Sequence, residues 1–124
     1  MAKFKPYSKA LSIETYESDP TVEYRIVSSR EGDENGKFQI EIPLSIAWRI
    51  YYLARAFDGQ AVKKIEPKGM TRIDYLSIPL LTGELELVRG TVTDPVSSHY
   101  LDILIPLLKS SFSDTATTLI VRAP

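Results

Sequence analysis

The chain has no cysteine. That excludes disulfide frameworks, zinc–thiolate centres and thiol nucleophiles, and it fits a reducing compartment. No apolar run approaches the roughly 20 residues that a membrane-crossing helix needs. The opening stretch, MAKFKPYSKA, lacks the apolar core of a secretory signal. A cytoplasmic protein is the expectation. Net charge is scarce too: 15 Lys and Arg stand against 16 Asp and Glu, a formal −1. No global field therefore draws the molecule to nucleic acid or membrane, and any such binding has to come from a local patch. The glycines Gly32, Gly36, Gly59, Gly69, Gly83 and Gly90 never cluster into a phosphate-cradling loop. No cofactor or metal set is expected.

What is there begins with size. A chain of 124 residues suits one core and is short for two, so residues 1–124 read as one domain, with 1–10 either a loose basic arm or a short edge strand. The most informative stretch is Ile42–Gly59, IPLSIAWRIYYLARAFDG. Pro43 suits the first turn of a helix, where a missing amide proton costs nothing, and Gly59 suits its stop. At 100° per residue, Ile46, Ile50, Leu53 and Phe57 share one face with Ala47 and Ala54 beside them. Trp48, Tyr51, Tyr52 and Arg55 fall at i, i+3, i+4 and i+7 and form a second stripe. A surface helix normally shows charge there. The stripe either packs under another part of the chain, with Arg55 reaching outward, or meets a partner, since Trp, Tyr and Arg are the types enriched in interface hot spots.

The remaining elements follow from local pattern. Leu11–Tyr16 and Thr21–Ser29 alternate as strands, and Ser18-Asp19-Pro20 turns between them. Asn35-Gly36 signals a hairpin, leading into Lys37–Ile42, the cleanest strand. After the central helix, Ala61–Ile65, Thr71–Pro79 and Glu84–Thr93 read as strands, with turns at Glu66–Gly69 and at Leu81-Thr82-Gly83. Asp94-Pro95 reads as the cap and first turn of a second helix running to about Phe112. Pro106 inside it should kink or split it; the alternation of Leu101, Ile103, Ile105 and Leu107 makes a strand the fallback. Thr115–Arg122 closes the chain as a strand. The result is an α+β fold in the order βββα-βββα-β, with antiparallel sheet or sheets and two helices on the apolar face. The halves carry the similar strings EIPLSI and LSIPLL. In element order this layout is similar to the Whirly/PUR-type nucleic-acid-binding domains, in which two sheet-plus-helix repeats combine. The likeness implies no particular binding residues.

Charge is uneven along the chain. From Ile42 to Arg72, six basic residues meet two acidic ones, a local +4; from Glu17 to Glu41, seven acidic residues meet three basic ones, a local −4. Lys63, Lys64, Lys68 and Arg72 could neutralise phosphates, with Tyr75 stacking on a base, or they could simply blunt strand edges. The acidic N-terminal hairpin could cover a basic site on a partner, as inhibitor and immunity proteins do, or be an ordinary solvated turn. His99 and Asp102 could pair on one helix face. No positioned nucleophile accompanies them, and no catalytic residue is assigned. Glu84 and Glu86 would share a strand face but lack a third ligand for a hard cation. The residues point to protein–protein recognition, by self-association or by inhibitor-like occupation of a partner's site, with Trp48, Tyr51, Tyr52 and Arg55 as anchors. The alternative is single-stranded nucleic-acid binding through Lys63, Lys64, Lys68, Arg72 and Tyr75.

Overall fold

A computed structural model of the chain describes residues 18–28, 33–111 and 117–124, with side chains at 28 and 33–38 excepted. Four strands, β1 (Thr21–Ser28), β2 (Asp33–Pro43), β3 (Met70–Asp74) and β4 (Thr117–Arg122), form one sheet in the order β2-β1-β4-β3. Every neighbouring pair is antiparallel. Three α-helices complete the described residues: α1 (Leu44–Ala56), α2 (Ile78–Thr91) and α3 (Pro95–Lys109).

Alternation dictates which sheet face is covered. In the register, Tyr24 lies opposite Ile40 and Val121, and Ile26 and Ile73 lie opposite Leu119. These residues are buried with Val22 and Ile42. Ile46, Ile50 and Ala54 of α1, Ile78, Leu81, Leu85 and Val88 of α2, and Leu101, Leu104 and Leu108 of α3 join the same cluster. The helices therefore share one side of the sheet, as a helix stripe and a sheet face must each find an apolar partner. Burying each such aliphatic side chain is worth about 1.5–3 kcal/mol.

The junction into α1 is tight. Pro43 ends β2 with extended ψ and immediately precedes the helix. The Leu44 amide donates to Pro20 O at 2.8 Å, and Ser45 Oγ donates to Asp19 Oδ2 at 2.7 Å. At the other end Asp58, not Gly59, takes the left-handed conformation, with φ 60°. The Gly59 amide donates to Ala54 O at 3.0 Å.

The second half departs from its expected layout. Ala61–Ile65, expected as a strand, contains a 3₁₀ turn over Val62–Ile65 that buries Val62 and Ile65, three apart. The strand expected over Thr71–Pro79 stops at Asp74, whose carboxylate accepts from the Ser77 amide at 3.2 Å and starts a second 3₁₀ turn, Tyr75–Ser77. The expected turn at Leu81-Thr82-Gly83 and all but the last two residues of the expected strand Glu84–Thr93 belong to helix α2. Pro79 sits in its first turn, where proline is tolerated. Buried Ile78, Leu81, Leu85 and Val88 show the helical spacing that the local alternation of Glu84, Leu85, Glu86 and Leu87 disguised.

The order is thus ββαβααβ among the described residues, and not two sheet-plus-helix halves. The likeness to a two-repeat layout lapses with it, while the α+β class and the antiparallel sheet hold. Asp94-Pro95 does open a helix: Asp94 accepts from the Ser97 amide at 2.9 Å. That helix, α3, continues unbroken through Pro106. Asn35-Gly36 lies inside β2 and not at a turn. The basic arm 1–10, the strand Leu11–Tyr16 and the tip of the acidic hairpin at Glu31 lie outside the described residues.

Candidate functional site: an aromatic cluster on the first helix

Helix α1 turns Ile46, Ala47, Ile50 and Ala54 into the core. Its remaining faces follow from 3.6-residue geometry. Trp48, Tyr51 and Tyr52 come together as one cluster on the side away from that stripe. Trp48 stacks on Tyr52 with centroids 5.4 Å apart and planes at 24°. Tyr51 meets Trp48 edge-on at 5.6 Å and Tyr52 at 5.5 Å. All three distances lie in the attractive range for aromatic pairs. Tyr52 is 62% exposed, while Trp48 and Tyr51 are half-buried and Tyr51 also packs against the core's edge. The rings are not sealed beneath the sheet.

Charge borders the cluster. Arg55 is exposed and donates to Gly59 O at 3.4 Å, which holds it over the end of the helix. On the flank towards α3, Arg49 donates through Nε to Asp94 Oδ1 at 3.1 Å, with a second nitrogen at the same distance. Asp94 is almost fully buried. Burial pushes its carboxyl up, but the Ser97 amide and the Arg49 charge outweigh that and hold it below the ordinary carboxylate range. One carboxylate therefore caps α3 and ties α3 to α1. Sequence pattern identified the cap, but Arg49 carried no signal of its partner 45 residues on.

The basic residues do not form a comparable unit. Lys63 donates to Gln60 Oε1 at 3.1 Å and Lys64 to Ser77 Oγ at 3.0 Å. Lys68 is exposed in the turn before β3. Arg72 lies on the sheet face opposite the helices, in register with Ile120, because its neighbour Ile73 points into the core. Tyr75 is half-buried in the 3₁₀ turn after β3.

Other sequence-level candidates find different partners. His99 is exposed and edge-on to Tyr100 at 5.0 Å. Asp102, expected beside it, is instead held by Arg89 of α2 at 2.6 and 3.3 Å. That hydrogen bond and charge keep the Asp102 carboxyl below its usual range. Glu84 and Glu86, on a helix and not a strand, diverge. Glu86 meets Lys109 at 3.3 Å. Glu84 accepts from the amides of Gln60, Ala61 and Val62 at 2.9, 3.0 and 2.8 Å, neutralising the free donors at the start of the 3₁₀ turn. No group of three or more His, Asp or Glu able to hold a metal ion occurs among the described residues. None of the described helices is long and apolar enough to cross a membrane.

No family model, no curated protein and no solved structure matches the chain.

Proposed function

We propose that the protein is a non-enzymatic recognition module that occupies a site on a partner protein through the Trp48, Tyr51, Tyr52 and Arg55 side of α1. The observation that carries this reading is the cluster itself: three rings in mutual contact on the outward side of a helix, with Tyr52 the most exposed of them. Rings packed on one another before binding lose less side-chain freedom on association, a cost of about 0.5–1.5 kcal/mol for each side chain that must be immobilised. Large aromatics with an arginine at the rim supply the contact types on which binding energy concentrates. Nucleic-acid binding is the second reading, favoured by the exposure of Lys63, Lys64, Lys68 and Arg72.

Quantitative affinity capture from the source cell tests the proposal, with Tyr52→Ala and Trp48→Ala beside the wild type. One protein retained by the wild type and depleted by both variants is the expected result. A retained set identical across all three baits contradicts it. Titration of a labelled single-stranded oligonucleotide at low salt addresses the second reading. Binding lost in Lys63→Ala/Lys64→Ala, and falling steeply with added salt, would replace the protein-recognition reading.

A further inference from the structure

Helix α2 has a second unusual surface. Its buried side is Ile78, Leu81, Thr82, Leu85 and Val88. The opposite side carries Leu80, Gly83, Leu87 and Gly90 at i, i+3, i+7 and i+10, with Leu76 just before the helix. Leu76 is 81% exposed, Leu80 56% and Leu87 57%. A Cβ built on Gly83 or Gly90 meets no atom within 4 Å among the described residues. Both glycines lower helix propensity relative to alanine, and nothing among the described residues requires them. The solvent side of a helix is where charge belongs. Here the helix's acids are turned elsewhere: Glu84 to the amides of Gln60–Val62, and Glu86 to Lys109.

The order of large and small residues selects the occupant. Leu80 and Gly90 lie five residues on either side of Leu85, and Gly83 and Leu87 lie two on either side. Two copies of α2 placed antiparallel about a two-fold axis near Leu85 therefore set Leu80 against Gly90 of the second copy, and Leu87 against its Gly83. Each leucine finds a glycine-floored hollow, and both contacts repeat by symmetry to give four, as an isologous interface requires. Glu84 and Glu86, which the same axis sets opposite one another, each already have a partner in their own chain: the Gln60–Val62 amides and Lys109.

From this register we propose that the outer face of α2 is a homodimer interface, formed by antiparallel pairing with a second copy of this chain. It is separate from the aromatic cluster on α1, and neither proposal depends on the other. Three leucines per copy bury a modest area, so the dimer belongs with weak, concentration-dependent associations.

Sedimentation equilibrium over about 1–500 µM tests this, a span that brackets the affinity of small interfaces. The wild type should pass from protomer mass towards twice that mass. Leu80→Glu should weaken association roughly tenfold or more, because a buried leucine is lost and a charge introduced. Gly83→Leu guards against misfolding as an explanation: it fills the hollow for the partner's Leu87 but improves helix propensity. It should keep or raise the melting temperature while abolishing the dimer. Tyr52→Ala should dimerise like the wild type. A wild type that stays at protomer mass throughout overturns the proposal. So does a Gly83→Leu variant that dimerises normally, or a dimer broken only by Tyr52→Ala.

Discussion

The carboxylate of Glu84 stands where a side chain on Gly59 would begin: a Cβ built on Gly59 lies 2.8 Å from Glu84 Oε1. It would also lie 2.9 Å from Ala54 O and 3.0 Å from Val62 Cγ1. Gly59 is required for close approach, not for a left-handed turn, since Asp58 supplies that conformation. The same carboxylate takes three backbone amides, so α2 is locked to the segment following α1 by one side chain.

Gly59→Ala should therefore destabilise the protein by about 1–3 kcal/mol, the usual cost of forcing atoms into a filled space. Glu84→Ala should cost a similar amount, about 1.5–3 kcal/mol, because amides that met a charged acceptor lose it. Combining the two should cost less than the sum, since removal of Glu84 opens part of the space. Strictly additive losses in thermal or urea unfolding would show that the two residues do not share this site.

Asp94 links acid stability to the α1–α3 contact. Its folded-state carboxyl titrates below the ordinary range, so it stabilises the fold fully above about pH 4. That contribution is lost as pH falls through the unfolded value towards the folded one. Asp94→Asn keeps a capping side chain but removes the charge facing Arg49. The variant should lose less stability than the wild type between about pH 5 and pH 2. Unfolding midpoints that fall in parallel for both proteins would refute the assignment.

What the sequence made legible was the part governed by local rules. Alternation in Thr21–Ser28 and Gln39–Ile42, the cap-plus-proline at Asp94-Pro95 and the Ile46, Ala47, Ile50 and Ala54 stripe of the first helix have structural counterparts, whereas Phe57, expected on that stripe, lies past the helix end at Ala56 and is exposed. Region 78–91 reads locally as turn and strand because Gly83 and Gly90 look like turn punctuation, and because Glu84–Leu87 alternates for four residues. Only the longer spacing of Ile78, Leu81, Leu85 and Val88 exposes the helix. The local pattern therefore hides the Leu76, Leu80 and Leu87 surface. Pairings such as Arg49 with Asp94, Arg89 with Asp102 and Glu84 with the Gln60–Val62 amides depend on how the helices dock. No local period encodes them.

The aromatic side of α1 as a contact surface is the central claim, and the protein's only tryptophan reports on it directly. Acrylamide quenching of Trp48 should show partial solvent access in the free protein, as a half-buried ring requires. It should fall once the captured partner protein is bound. Quenching that stays the same in the complex, with binding verified independently, would place the contact elsewhere and contradict the account.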